Sequence, residues 1–399
     1  MHSQTQDPAF AFPAVELVAK GIIDPVLRLK FLKYMARYTM PLPVPADQPR
    51  PRPFSFLRLA VILALLVGLF AGVFMVRAGS RVKTPPTPTA PIEPVAVPLT
   101  PPREPSPVWQ VETTGAYETY SNGLRIDSRF AVSNHPRAYR VFPADEPENQ
   151  RGSPGSRPAG IVFHTTESRQ VPFEEQQNLV LQRIGESLLE YVQRRRAYNY
   201  LIDRFGRVYR IVAESDAADH AGYSVWANEH SVYLNLNESF LGVSFEAETQ
   251  PGQVQPSVST AQVRSAAMLT EMLRGRYAIP AANCVTHAQV SVNPSNMRVG
   301  FHTDWASSFP FEQLGLPNNY ARPSPAMAIF GFEHDSIFLH WAGTPLYSGV
   351  EKAEAELKES ARRSGLSVPA YRDVLQKRYR QRLAATRQGV GASEAGVTG

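Results

Sequence analysis

Cysteine is nearly absent from the chain. Cys284 is the single cysteine among 399 residues, so no intrachain disulfide can form. A free cysteine usually behaves as a small buried hydrophobe. On a strand, its position three residues before His287 would also point the thiol away from the face of that histidine. We therefore favour a place in the core for Cys284 over the alternative of a metal ligand.

A strong excess of charge of either sign is also missing. The chain has 41 Lys and Arg against 36 Asp and Glu, a formal net charge of +5, and it contains no nucleic-acid-binding motif. These features argue against a nucleic-acid partner. A mildly basic balance suits an anionic surface instead, such as a membrane or a cell-wall polymer.

Charge is lacking altogether from one apolar segment, residues 59–76, which Arg58 and Arg77 flank. Its 18 residues just span a bilayer. Because 58 residues precede it, an uncleaved anchor is favoured over a signal peptide. Eight Lys or Arg within residues 1–58 favour a cytoplasmic N-terminus. The sequence therefore predicts a single-pass membrane protein with one transmembrane helix.

Three further segments surround the globular part of the chain. Residues 1–58 are predicted as a cytoplasmic segment with a basic amphipathic helix that starts at Asp24 and Pro25, and that lies on the membrane or binds a protein partner. Residues 77–108 are predicted as a Pro-rich linker, because ten prolines fall within residues 84–107. Residues 326–399 are predicted as a helical extension with a disordered end after about residue 388.

Residues 109–325 have the pattern of a globular domain. Strands are predicted at 124–132, 138–142, 160–163 and 240–246, a hairpin at 198–202 and 208–212, and helices at 173–196 and 260–277. This alternation predicts an α/β domain with a mixed central sheet flanked by helices.

Two histidines and an aspartate suggest a metal site that is split along the chain. His164 closes the apolar run 160–163, and His287 follows a second strand-like segment at 283–286. Asp304 comes 17 residues after His287, in a loop. A catalytic zinc ion takes three protein ligands and leaves one position open for water. We therefore predict a zinc site, with His302 as a rival to Asp304 for the third ligand.

Four motifs occur in the order that they have in a known family. They are Val162-Phe-His-Thr-Thr166; Tyr198-Asn-Tyr-Leu-Ile-Asp-Arg-Phe-Gly206; His220-Ala-Gly-Tyr-Ser224 with residues 237–243; and Thr286-His287 with Thr303-Asp304. In these motifs the chain resembles the zinc-dependent N-acetylmuramoyl-L-alanine amidases, which include phage lysozyme-type amidases and peptidoglycan recognition proteins. The resemblance covers roughly half of the chain. It implies a mixed sheet with helices on its faces and zinc at the edge of a groove.

The resemblance also implies roles for single residues. His164 and His287 match the two imidazole ligands of Zn²⁺, and Asp304 matches the third ligand, although the interval between His287 and Asp304 is longer than is usual in the family. The extra length lies near residues 290–296. Tyr198 matches the active-site tyrosine, whose hydroxyl positions the water or the tetrahedral intermediate.

Other matches are less complete. His302 stands where relatives carry a lysine, and it would donate to the developing oxyanion when protonated. Glu246 lies on a strand where some relatives carry a carboxylate that orients the water, and a solvated strand end is the alternative. His220 matches a pocket histidine that contacts substrate. Glu167 is interpreted as a surface charge rather than a base. Structural or exposed positions are expected for His2, His135, His230, His334 and His340.

The implied function is zinc-dependent hydrolysis of the amide bond between N-acetylmuramic acid and L-alanine in peptidoglycan. The protein would be anchored in the inner membrane with its catalytic domain in the periplasm. Three alternatives stay open: a non-catalytic peptidoglycan-binding module, an amidase that acts on soluble muropeptides, and a scaffold whose N-terminal helix or C-terminal extension recruits envelope proteins.

Overall fold

The structure, a computed structural model, describes residues 104–249 and 258–394. The predicted cytoplasmic segment at 1–58, the predicted transmembrane helix at 59–76 and most of the predicted linker at 77–108 lie outside the described residues. Within the described ranges, no helix has both the length and the apolar character needed to cross a membrane.

Strands and helices alternate along most of the described residues, and the C-terminal part is helical. In chain order the strands are β1 (Gln110–Thr113), β2 (Tyr117–Tyr120), β3 (Arg125–Asp127), β4 (Tyr139–Pro143), β5 (Ser153–Gly155), β6 (Gly160–Thr165), β7 (Tyr200–Ile202), β8 (Val208–Arg210), β9 (Val225–Ala227), β10 (Ser231–Leu234), β11 (Phe240–Phe245), β12 (Cys284–Thr286), β13 (Val292–Asn293) and β14 (Arg298–Val299). The α-helices are α1 (Asn178–Arg195), α2 (Leu236–Ser239), α3 (Thr260–Tyr277), α4 (His287–Val290), α5 (Pro325–Phe330), α6 (Ser336–Arg363) and α7 (Val368–Glu394).

Eight of these strands form one mixed sheet in the order β1-β2-β3-β8-β7-β11-β6-β12. At one side of this sheet, β7, β11, β6 and β12 are parallel neighbours, so their carboxyl ends lie at the same edge. The predicted hairpin is confirmed as the antiparallel pair β7 and β8. A second sheet has the order β5-β4-β10-β9, and β13 pairs with β14. The predicted mixed central sheet flanked by helices is therefore confirmed.

Strands β6 and β11 are buried along their whole length because both of their faces are covered. Alternate residues of β6 enter different clusters. Ile161 and Phe163 join the largest core, to which α3 also contributes, while Val162 joins a smaller cluster on the opposite face. Because side chains alternate along a strand, His164 shares the face of Val162.

Cys284, in β12, is fully buried in the largest core and has no disulfide partner, as predicted. Burial raises the pKa of its thiol to about 12, so the thiol stays protonated at neutral pH. The alternative of a metal ligand is wrong for this residue, because Cys284 does not belong to the metal-binding group described below.

The predicted helix at 260–277 is confirmed with its bounds. Ser259 caps it and accepts the backbone N–H of Gln262, whose side chain in turn accepts the N–H of Ser259. The predicted helix at 173–196 is shorter, since residues 175–177 form a single 3₁₀ turn before α1 begins.

The strand predicted at 124–132 ends early, at Asp127. The Asp127 carboxylate accepts the backbone N–H of Arg129 at 3.0 Å, which turns the chain out of the sheet. Strands β1, β2, β9 and β10 were not predicted, because runs of three or four residues are too short for a periodic pattern.

A buried arginine fixes the start of β11. The guanidinium of Arg137 donates to the carbonyl of Phe240 at 2.8 Å, to the carbonyl of Glu214 at 2.7 Å and to Oδ1 of Asn199 at 3.0 Å. The same Asn199 oxygen accepts the N–H of Gly242 in β11. These bonds tie the sheet to the loops around it on the face of His164.

Helices α5, α6 and α7 share the largest core with the sheet, so the division predicted at residue 325 does not separate two cores. Their contribution comprises Ala326, Met327, Phe330, Phe332, Phe338, Ala342, Leu346, Val350, Ala353 and Tyr379. Helix α7 continues to Glu394, so it includes residues after 388 that were predicted as disordered. A helix that has already formed is easily extended, because each added residue forms one more backbone hydrogen bond.

The C-terminal part also holds the segment that leads to Asp304. The ring of Phe338 lies so close to Gly300 that a β-carbon there would collide with it. The backbone N–H of Val299 donates to the carbonyl of Glu333 at 2.8 Å, and Arg298 faces Asp335 at 3.6 Å.

We therefore predict that a chain ending at residue 325 has no cooperative thermal unfolding transition. Loss of one buried Phe alone costs about 3–5 kcal/mol, against a total stability of about 5–15 kcal/mol for a typical domain. Circular dichroism against temperature measures this, with a chain that ends at residue 394 as the control that should melt like the full chain. Equal melting temperatures of the full chain and of the chains that end at residues 394 and 325 would show that the shared core does not stabilise the sheet.

Candidate metal centre

Two strand ends bring the predicted histidines together. Thr286, the last residue of β12, pairs with Phe163 of the parallel strand β6. The residues that follow, His287 and His164, therefore lie side by side at the carboxyl edge of the sheet. Their ring centroids are 4.4 Å apart.

Asp304 closes the group. Its Oδ2 lies 3.1 Å from Nδ1 of His164, and its Oδ1 lies 2.8 Å from Nδ1 of His287. All three residues are buried, and their ligand atoms lie within 4.8 Å of one another. In the part of the chain that the structure describes, they form the one group of three His, Cys, Asp or Glu side chains that could hold a metal ion.

The loop of Asp304 is fixed by the residue that follows it. Trp305 is fully buried and packs against Phe245 and Phe309, with ring centroids 5.4 Å and 5.0 Å apart. Its carbonyl accepts the hydroxyl of Tyr320 at 2.8 Å. The φ of Trp305, 55°, is left-handed, which a bulky residue adopts only when its surroundings enforce it. The extra length predicted near residues 290–296 is the hairpin of β13 and β14.

The protonation states suit metal binding. Burial, followed by the charge of His287, lowers the pKa of His164 to about 4, so its imidazole is neutral at pH 7. Burial alone would raise the pKa of the Asp304 carboxyl, but His287 and His164 outweigh it and hold that pKa well below its ordinary value. A neutral imidazole and an ionised carboxylate are the forms that bind metals.

A second observation agrees with a metal. Nε2 of His287 is buried and has no hydrogen-bond partner among the described residues, as expected of a ring that takes a partner from outside the protein. Two imidazoles and a carboxylate are a known ligand set of catalytic zinc. These residues therefore fit a zinc ion, with Asp304 as the third ligand.

His302, the rival third ligand, lies beside the group and is not part of it. Its ring stacks on that of His287, with centroids 4.6 Å apart and an angle of 19° between the ring planes. Its backbone N–H donates to Oγ of Ser291 at 2.9 Å.

Tyr198 lies next to the group, as predicted. Its ring centroid is 5.1 Å from that of His164, and its φ of 66° is left-handed. Burial, followed by the charge of Asp304, raises the pKa of its phenol. The hydroxyl therefore keeps its proton and can donate a hydrogen bond throughout the physiological pH range.

The two glutamates have different surroundings. The Glu246 carboxylate accepts the backbone N–H of Arg204 at 3.1 Å, and burial raises its pKa. Glu167 accepts hydrogen bonds from the hydroxyl of Thr165 at 2.5 Å and from the N–H of Thr249 at 3.2 Å. Glu246 is not a member of the metal-binding group.

Glu167, predicted as a surface charge, is exposed. Burial and then the charge of Asp304 raise its pKa, and its charge in turn raises the pKa of Tyr198. The charge of Asp304 therefore acts on the carboxyl of Glu167. Its position three residues after His164 is the signal in the sequence.

His220, predicted to contact substrate, lies behind His164. Its Nδ1 is 3.1 Å from Nε2 of His164, and its Nε2 is 3.2 Å from the carbonyl of Phe240. Both ring nitrogens thus have protein partners. Among the other described histidines, His135 is exposed and pairs with Glu238, and His230 is exposed.

A family comparison covers this site. The family model described as N-acetylmuramoyl-L-alanine amidase matches residues 154–304, which include His164, His287 and Asp304. Residues 154–304 belong to the N-acetylmuramoyl-L-alanine amidase family. The match begins in β5 and ends at Asp304, the third member of the metal-binding group. None of the curated proteins matches the chain.

Several solved structures are similar to a part of the chain. One is the amidase AmiD from E. coli in complex with anhydro-N-acetylmuramic acid-L-Ala-D-gamma-Glu-L-Lys, at 19% identity and a TM-score of 0.32, over 51% of this chain and 90% of that chain. Another is AmpDh3 from Pseudomonas aeruginosa in complex with anhydromuramic pentapeptide, at 21% identity and a TM-score of 0.30, over 40% of this chain and 59% of that one. A third is PGRP-LB from Drosophila, at 12% identity and a TM-score of 0.23, over 41% of this chain and 85% of that chain.

We predict that His287→Ala and Asp304→Ala each weaken zinc binding by the amidase domain more than about 100-fold, because each removes one of three ligands. Zinc affinity is measured in the full chain by competition with a chromophoric chelator. His302→Ala is the matched control and should keep its zinc. Loss of zinc from His302→Ala, with retention in Asp304→Ala, would make His302 the third ligand instead.

Proposed function

We propose that the protein is a zinc-dependent amidase that hydrolyses the bond between N-acetylmuramic acid and L-alanine in peptidoglycan. The observation that carries this proposal is the buried group of His164, His287 and Asp304 inside a domain of the amidase family. A ligand set of this kind, with Tyr198 beside it and a glutamate whose pKa responds to Asp304, suits hydrolysis better than binding alone.

The residues around the group have distinct roles in this proposal. Zinc, when bound by His164, His287 and Asp304, supplies a Lewis acid and makes water nucleophilic near neutral pH. Tyr198 donates its hydroxyl to the oxygen on which negative charge develops, since its raised pKa keeps the phenol protonated. His302, stacked on His287, supplies a second donor when it is protonated.

Glu167 is the proposed general base. A carboxyl whose pKa is raised by burial accepts a proton from water more readily than an ordinary one, and it then returns the proton to the leaving amine. Its bonds to Thr165 and Thr249 hold the carboxylate in place. Glu246 is proposed to hold the turn after β7 through the N–H of Arg204, rather than to orient water.

Replacing either glutamate by glutamine tests this division. Glu167→Gln is expected to lower kcat about 100-fold or more, the usual effect of losing a general base, with little change in zinc affinity. Glu246→Gln, the matched control, is expected to lower kcat less than about tenfold, because an amide oxygen still accepts the Arg204 N–H. Initial rates of amide cleavage by the zinc-loaded variants measure both. A larger loss of kcat in Glu246→Gln than in Glu167→Gln would identify Glu246 as the base.

The place of action is also a proposal. We infer from the apolar segment 59–76 and the Pro-rich segment 77–108 that the chain is anchored in the inner membrane and holds its amidase domain in the periplasm. Intact cell wall is then within reach, which favours the polymer over soluble muropeptides as substrate. Release of the full chain from membranes by salt alone would contradict this anchor.

The function is tested with the detergent-solubilised full chain on purified sacculi and on soluble muropeptides. Mass spectrometry is expected to detect free stem peptides with an L-alanine amino terminus, and a chelator is expected to abolish them until zinc is restored. His287→Ala is the inactive control. A zinc-loaded chain that binds sacculi and releases no peptide would be a binding module, and cleavage of soluble fragments alone would change the substrate.

A further inference from the structure

The ring of His220 connects a backbone carbonyl to the first metal ligand. We propose that His220 is a positioning residue, which holds His164 in the tautomer whose Nδ1 lone pair faces the metal. This inference deepens the proposed function and rests on its zinc centre. It concerns the two hydrogen bonds of His220: Nε2 lies 3.2 Å from the carbonyl of Phe240, and Nδ1 lies 3.1 Å from Nε2 of His164.

The positions of the hydrogen atoms follow from these contacts. A carbonyl oxygen only accepts, so Nε2 of His220 must carry the hydrogen of that bond. A neutral imidazole has one N–H, and Nδ1 of His220 is then an acceptor. Nε2 of His164 must therefore donate to it, which leaves the lone pair of His164 on Nδ1.

Arg137 disfavours a positive charge on His220. Its guanidinium donates to the same carbonyl of Phe240 at 2.8 Å, so the ring of His220 and the guanidinium share one acceptor. A positive charge on His220 would be repelled by Arg137 at this short range, which favours the neutral imidazole.

The alternative tautomer of His164 would compete with the metal. Nδ1 of His164 lies 3.1 Å from Oδ2 of Asp304. If Nδ1 carried the hydrogen, it would donate to that carboxylate, and the pair would be satisfied without any ion. With the hydrogen on Nε2, two acceptors face each other, and a cation relieves their repulsion. His220 thus favours the form of His164 that needs a metal.

Asn237 and Gly242 hold His220 in place from two sides. Oδ1 of Asn237 accepts the backbone N–H groups of His220, Ala221 and Gly222 at 3.0, 2.6 and 3.0 Å. On the opposite side, the ring lies against Gly242 of β11, where a β-carbon would come within 2.6 Å of Cγ of His220. Only glycine leaves room for the ring at this position.

The tautomer is measured directly in the metal-free full chain labelled with ¹⁵N-histidine. Long-range proton–nitrogen correlation spectra distinguish a ring with the hydrogen on Nε2 from one with the hydrogen on Nδ1. His164 and His220 are both expected to carry it on Nε2, and in His220→Ala the hydrogen of His164 is expected to move to Nδ1. Spectra of His164→Gln and His220→Ala assign the two rings. A hydrogen on Nδ1 of His164 in the metal-free wild type would overturn the proposal.

Zinc affinity provides a second measurement, by chelator competition with Zn²⁺ alone. His220→Ala is expected to bind zinc about 10–100-fold more weakly, the usual effect of losing a partner that orients a ligand. His220→Gln should recover much of the loss, because its amide can donate to Phe240 and accept from His164. His230→Ala, an exposed histidine, is the matched control and should not differ from wild type.

Gly242→Ala tests the same link without changing either histidine. The new methyl group should displace the ring of His220 and weaken zinc binding in the same direction as His220→Ala. Unchanged zinc affinity in folded His220→Ala or in folded Gly242→Ala would contradict the proposal. If His220→Ala does not fold, the wild-type spectrum and Gly242→Ala decide. A chain with the expected tautomer and affinities that leaves peptidoglycan intact would refute the proposed function alone.

Discussion

The carboxylate of Asp304 bridges two imidazoles that the sheet places side by side, and the rest of the site depends on this contact. Parallel pairing of β6 with β12 brings His164 and His287 to one edge. A buried carboxylate without compensation is costly. Nδ1 of His287 lies 2.8 Å from it, and Nδ1 of His164 lies 3.1 Å from it on the other side. A cation that is shared by the three side chains satisfies all of them at once.

The supporting structure explains why the contact is held so tightly. Trp305 fixes the loop of Asp304 in the core. Phe338 of α6 packs on Gly300, which precedes Asp304 by four residues. Behind His164, the ring of His220 fills the space over Gly242. The C-terminal helices therefore help to hold the site in place, although none of the three metal-binding side chains lies on them.

Much of this could be predicted from the sequence because the signals are local. The apolar run before His164, the helical pattern at 260–277 and the hairpin of β7 and β8 are local signals, and the structure confirms the elements that they predict. The three members of the metal-binding group, His164, His287 and Asp304, also followed from motifs. Spacing alone could not decide between Asp304 and His302, since the intervening hairpin of β13 and β14 changes which side chain reaches the group.

The features that were missed depend on contacts between distant residues. Nothing next to His220 in the sequence shows that its ring lies between His164 and the carbonyl of Phe240. Nothing near Glu167 shows that the charge of Asp304, which is far along the chain, raises the pKa of its carboxyl. Likewise, the amphipathic pattern of residues 326–387 indicates helices but cannot show that their apolar faces join the core of the sheet.

X-ray absorption at the zinc edge of the zinc-loaded full chain tests the central claim most directly. The spectrum is predicted to contain the outer-shell scattering of two imidazoles, with nitrogen and oxygen neighbours at about 2.0–2.2 Å and no sulfur. A first shell with sulfur, or one with a single imidazole, would contradict a centre built from His164, His287 and Asp304.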